Sequence, residues 1–321
     1  MRSTAILMTM LLAAMMAWAQ ATPPPSPSPA QSGAAPSPNS AAPPPSTAAP
    51  TPPPAGSHRV LQAKSQEELK AYQDASALTD PGLMEAAADT FAAKYPTSEL
   101  RASLYIRAMN LFAQSNNSEK VIVTGRQAIA ADPTNPIPLV QVASALAEST
   151  RDNDLDREQR LAEAAKDAHA AIDNIDTGLL IPANADQARV DAAKQSILTM
   201  AYDTLGTVDM DRNDYGSAVR NLQKAIDENK GNPEAVLYLR LSVAQDKLKD
   251  YAQALDSANK AVQYAKDGTQ AQNLAKLQQS RLQKLINAGS PPETLPAGTT
   301  MPAPQPLPNQ SPVPNSPSTP R

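Results

Sequence analysis

The stretch YDTLGTVDMDRNDYGSAVRNLQKAI, residues 202–226, returns 36 positions later as YLRLSVAQDKLKDYAQALDSANKAV. The shift lays Tyr202 on Tyr238, Leu205 on Leu241, Asp214-Tyr215 on Asp250-Tyr251, Ala218 on Ala254 and Ala225 on Ala261. A chain that holds small, aromatic and aliphatic residues in one register while the rest drifts is built from copies of one supersecondary unit. No copy can bury its apolar face alone, so the copies must stack.

Within the unit, Ile197, Ala201, Leu205 and Val208 recur at helical spacing. After the polar turn DRND, Ala218, Leu222, Ala225 and Ile226 form a second stripe. The spacing predicts two antiparallel helices joined by a short turn, with Asp214 and Asp250 capping the second helix of each copy. Gly206, Ala218, Ala225, Ala254 and Ala261 are expected where paired helices cross closely.

The pattern resembles the tetratricopeptide repeat, whose first helix carries an aromatic residue and Leu-Gly and whose second carries Tyr, Ala, a bulky residue and Ala. Tyr202, Leu205, Gly206, Tyr215, Ala218, Leu222 and Ala225 match it, with Pro233 displaced by a few residues. The copy at 235–266 keeps Tyr238, Leu241, Tyr251, Ala254 and Ala261, but has Ser242 for the glycine and Ala258 for the bulky residue. Upstream, LYIRAMNLF with EKVIVTGRQAIAADPTNP makes a degenerate unit, and residues 137–175 make another around an inserted loop at 149–157. Residues 85–112 also show a weaker similarity to periplasmic repeat proteins of outer-membrane assembly, which are lipid-anchored through a cysteine that this sequence lacks.

The resemblance implies an all-α, right-handed superhelical solenoid of four to five antiparallel helix pairs over about 65–266. TQAQNLAKLQQSRLQKLI would close it with Gln, Lys and Arg on its outer face. Upstream of the repeats, Ser65 with Glu68 three residues on is a capping-box start, and Pro81 opens a second helix that stops at Pro96.

Composition sets the limits of this folded part. Of 32 prolines, 14 lie in residues 21–57 and 11 in 291–321. Apart from Arg2, Glu293 and Arg321, every Lys, Arg, Asp and Glu lies in 59–290. Residues 20–58 and 291–321 are therefore expected to be disordered Pro-rich tails flanking a helical core at 59–290. They read as spacers first, and PPPSPSP or PAPQPLP as recognition segments second. The opening MRSTAILMTMLLAAMMAWAQ has an apolar run ending in Ala17-Trp18-Ala19, a signal-peptide pattern over residues 1–19. With no cysteine in the chain, the expected mature protein is periplasmic or extracellular, without disulfides, a lipid anchor or a transmembrane span.

Little in the sequence points to chemistry. The net charge of −4 with both signs interspersed argues against nucleic acid. The two histidines, His58 and His169, fall in different kinds of segment, and no phosphate loop, nucleophile elbow or metalloprotease motif occurs. Asp152, Asp154, Asp156 and Glu163 have the acidic spacing of a calcium loop, but Arg157 stands where such a loop needs glycine. A solvated acidic loop is the better reading. No enzyme, cofactor or metal is expected.

The resemblance further implies that the first helix of each pair lines a concave surface. Its outward positions would be Ile106, Asn110, Gln114, Val140, Gln141, Asp203, Met210, Leu239, Arg240 and Val243. They form no ring of Lys and Asn of the kind with which some family members clamp a peptide carboxylate. The expectation is a non-enzymatic protein-binding scaffold of the cell envelope, and the alternative is a structural spacer whose Pro-rich tails contact cell wall or a membrane complex.

Overall fold

The structure, a computed structural model, describes residues 61–181 and 185–289. The signal-peptide pattern, both Pro-rich segments and His58 lie outside the described residues. Eleven helices and no strands occur among those described. They are α1 (Gln66–Ser76), α2 (Pro81–Lys94), α3 (Leu100–Gln114), α4 (Ser118–Ala131), α5 (Pro136–Ser149), α6 (Arg157–Asp173), α7 (Gln187–Asp211), α8 (Tyr215–Glu228), α9 (Ala235–Lys247), α10 (Tyr251–Tyr264) and α11 (Gln270–Gly289). Consecutive helices pack as five pairs, α1/α2 to α9/α10, each stacked on the one before, and α11 closes the row against α9 and α10.

One turn is used three times. Asn116, Asn213 and Lys249 adopt left-handed φ of 56°, 61° and 64° between the helices of their pairs. In each case the next residue donates its N–H five residues back, Asn117 to Phe112 O, Asp214 to Asp209 O and Asp250 to Gln245 O, at 2.9–3.0 Å. That bond ends the first helix. The same residue then caps the second helix, Asn117 accepting from Lys120 N, Asp214 from Ser217 N and Asp250 from Gln253 N. The expected aspartate caps are thus half of a motif whose other half is the left-handed residue before them. At α1, Ser65 Oγ accepts from Glu68 N, while the Glu68 carboxylate reaches back to Lys64 N at 2.6 Å.

Aligned on that turn, the three pairs place one residue of the first helix against one of the second: Met109 and Gly125, Gly206 and Leu222, Ser242 and Ala258. A Cβ on Gly206 would lie 2.7 Å from Leu222 Cγ, and one on Gly125 would lie 2.9 Å from Met109 Sδ and closer still to Val142 Cγ2 of the next pair. Where the first helix carries a large residue the second carries glycine, and the reverse. Ser242 and Ala258 share the room, with Ser242 Oγ donating to Ala254 O at 2.7 Å.

Pair α5/α6 departs from the others. Its connection, residues 150–156, is longer, and α5 is buried along most of its length from Pro136 to Ala147. Segment 174–181 packs over the α4–α5 turn, at Gly178 so closely that a Cβ would lie 1.8 Å from Thr134 O. Leu179 and Ile181 join Leu139, Val140 and Val190 in one cluster.

Two predictions follow from the turn and the crossing. Leu222→Ala should cost about 2–4 kcal/mol, and Gly206→Ser should also destabilise. The double variant, which copies Ser242 with Ala258, should fall short of the sum by about 1 kcal/mol or more in urea titrations. Additive costs would show that the two positions share no space. Lys249→Gly should stabilise by about 1 kcal/mol, because glycine adopts the left-handed backbone without the penalty that a lysine Cβ brings.

Candidate functional site

The first helices of the last pairs carry their outward residues in a common register. Ala201 and Val208 of α7 are buried against the preceding pair, as are Leu237 and Ala244 of α9, 36 positions on. In α11 the buried residues with the same spacing are Ala275 and Leu282, a further 38 on. Counting from these at roughly 100° per residue, Met200, Asp203, Thr207 and Met210 of α7 share an inner face. Val236, Leu239, Val243 and Asp246 hold the same positions on α9, and Leu274, Leu277, Arg281 and Lys284 hold them on α11. Asp246 accepts from Gln278 Nε2 at 3.2 Å and pairs with Arg281, which fixes α9 and α11 side by side along this face.

The middle of the surface is charged. Arg240 of α9 pairs with Asp203 of α7 through Nη1 and reaches Glu148 of α5, Nη2 to Oε1, at 3.7 Å. One guanidinium thus ties three successive first helices, but it serves two carboxylates. Asp203 is buried and its Oδ1 has no hydrogen-bond partner among the described residues. Burial pushes the Glu148 carboxyl up to about 7, with Asp203 adding to the shift and Arg240 opposing it. Burial also raises Glu234 and Asp211, at the two ends of the cluster. Arg157 of α6 donates to the Asp211 carbonyl oxygen, closing the edge toward the 150–156 loop.

The residues expected on the concave surface divide into three groups. Ile106, Asn110, Met210, Leu239 and Val243 are half-buried and Gln114 is exposed. Val140 and Gln141 are corrections: both are buried, because segment 174–181 and the ten extra residues at the start of α7 cover α5 where other first helices meet solvent. Asp203 and Arg240 lie on the face but hold each other.

Of the packing residues, Leu205, Gly206, Ala218, Leu222, Ala225, Leu241, Ala254 and Ala261 are buried. Tyr202 and Tyr238 turn to their partner helices, Tyr202 beneath Lys224 at 5.1 Å and Tyr238 against Tyr264 with ring centroids 5.3 Å apart. Tyr215 and Tyr251 are half-buried beside the repeated turn.

The acidic residues of the inserted loop do not converge. Glu163 takes two hydrogen bonds of 2.7 Å from Arg126 of α4, and Asp154 accepts from Arg151 N. Among the described residues no cluster of three or more His, Cys, Asp and Glu side chains has metal-binding geometry, and no helix is long and apolar enough to cross a membrane. His169 is exposed on α6.

No family model and no curated protein matches the chain. Among solved structures it is similar to Acl4, an assembly chaperone of RpL4, at 11% identity and a TM-score of 0.36 over 69% of this chain and 98% of that one. It is also similar to the Cut9–Hcn1 hetero-tetramer of the APC/C, at 14% identity and a TM-score of 0.31 over 68% of this chain and 42% of that one.

The raised Glu148 carboxyl makes stability depend on pH. Because the folded chain holds this proton more tightly than the unfolded chain, the stabilisation is present at low pH and is lost as pH rises from about 4.5 to about 7. Glu148→Gln should therefore stabilise by about 1–3 kcal/mol at pH 8 and change little at pH 4. Equal effects at both pH values in thermal denaturation would show that the wild-type carboxyl titrates normally.

Proposed function

We propose that this chain is an exported repeat protein of the tetratricopeptide type that acts as a non-enzymatic protein-binding scaffold in the cell envelope, periplasmic or extracellular. The observation that carries the reading is the continuous inner face of α7, α9 and α11, partly apolar and partly charged, on a stack whose turns and crossings leave it little freedom. A partner segment meeting such a surface need not order its receptor, so more of the contact energy appears as affinity. Export rests on the apolar run and Ala17-Trp18-Ala19 of the first twenty residues together with the absence of cysteine. The Pro-rich segments, by composition, supply reach.

Affinity capture from an envelope extract tests this with two baits, the chain from Gln20 and the core from Arg59 to Ser290. Both baits should retain the same protein, and replacing Asp203 and Arg240 should weaken its retention. If only the longer bait retains a partner, the Pro-rich segments are the recognition element and the helical stack is a spacer.

A further inference from the structure

The charged middle of the inner face is one cation short. Arg240 donates from Nη1 to Asp203 Oδ2, while its Nη2 stands 3.7 Å from Glu148 Oε1, longer than a hydrogen bond. Asp203 is 6% exposed, and its Oδ1 has no hydrogen-bond partner among the described residues. One guanidinium held between two carboxylates therefore satisfies neither in full. Burial raises Glu234 at the start of α9, and the charge of Asp203 adds to the rise, so a third carboxyl group borders the same cluster. The arginines that follow Glu148 in the chain are committed elsewhere. Arg151 donates to the Glu148 carbonyl oxygen, Arg157 to Glu158 and the Asp211 carbonyl oxygen, and Arg160 to Ser149 Oγ and Thr150 Oγ1.

We infer that Glu148 receives a lysine or arginine side chain of a bound partner segment, and that Arg240 then turns both of its terminal nitrogens to Asp203. The inference rests on the scaffold reading and adds the point of contact and the charge of the partner. Glu148 is within reach of a partner, its side chain being 21% exposed, whereas Asp203, at 8%, is not. The unpartnered Asp203 oxygen lies too deep for a ligand, but it belongs to the carboxylate that Arg240 already holds. Once Glu148 no longer competes for Nη2, that nitrogen completes the two parallel hydrogen bonds of a forked arginine–carboxylate pair. The incoming cation thus satisfies two carboxylates, one directly and one through Arg240. A neutral or acidic side chain in its place would leave the buried acceptor unpaired.

The probe is a display library of short random peptides, selected at pH 8 and low salt on the chain from Gln20 to Arg321. At that pH the Glu148 carboxyl, raised by burial to about 7, is ionised. The retained peptides should share one position occupied by arginine or lysine. Replacing that residue by a neutral counterpart, citrulline or acetyl-lysine, should weaken binding at least ~10-fold in fluorescence anisotropy. Glu148→Gln should remove most of the difference between the charged and neutral peptides. Asp173→Asn, which takes the same charge from an exposed position on α6, should leave it. Because Glu148→Gln is expected to stabilise the fold at pH 8, lost binding will not be lost folding. The bound peptide should also slow exchange of the Arg240 guanidinium protons in heteronuclear NMR.

The inference falls if no peptide is retained, or if the retained peptides have no cationic position in common. It also falls if Glu148→Gln and Asp173→Asn weaken the charged peptide alike, since that is attraction to net charge alone. A preference for the cation that appears only in Arg151→Gln would make the chain's own arginine the occupant and would equally overturn it. Unchanged exchange at Arg240 in the peptide complex would overturn the second step. Any of these results alongside capture of an envelope protein that depends on Asp203 and Arg240 would leave the broader scaffold reading standing. Capture that ignores both residues would remove that reading as well.

Discussion

Two antiparallel helices joined by a three-residue connection must cross near that connection, and the room at the crossing is fixed by the backbones. Met109 with Gly125, Gly206 with Leu222 and Ser242 with Ala258 are three ways of filling the same space. Overfilling would force the axes apart, and underfilling would leave a void whose lining loses its dispersion contacts. The turn beyond the crossing uses one left-handed residue and one capping residue each time, so the second helix of every such pair starts from the same local backbone arrangement.

The parts of this design that were legible in the sequence are those carried by single residues in unbroken register. Tyr202, Leu205, Ala218, Ala225 and their counterparts 36 residues on identify the paired helices because each performs the same packing task in both copies. The crossing itself was only half legible. Ser242 and Ala258 look like two departures from a motif until alignment on the turn pairs their positions, both fully buried, where a larger first residue is matched by a smaller second one. The left-handed turn was hidden because Asn and Lys occupy a position usually signalled by glycine.

The surface was harder to read than the core, for reasons that lie in the fold. Val140 and Gln141 occupy outward positions by helical counting, but covering by segment 174–181 is a long-range event that local periodicity does not record. Asp203 and Arg240 sit at non-equivalent positions of successive repeats, so no comparison of copies aligns them as partners. The leucines of α11 were concealed by a two-residue slip. At a shift of 36, Leu274 and Leu277 fall on Tyr238 and Leu241 and look like packing residues. At the shift of 38 set by buried Ala275 and Leu282, they fall on Val236 and Leu239 of the inner face.

The charged middle and the apolar end of this face do different physical work. Burying two carboxylates and a guanidinium costs desolvation energy that their attraction only partly offsets, and an apolar triad of similar volume would often be as stable or more so. What the ionic triad adds is direction: Arg240 meets Asp203 and Glu148 in few arrangements, so α5, α7 and α9 are held in a defined relation. Leucines on α11 impose no such direction, since apolar contact is indifferent to small shifts. The two zones are not exclusive, because Arg281 of α11 pairs with Asp246 of α9, so the last helix is oriented by charge as well.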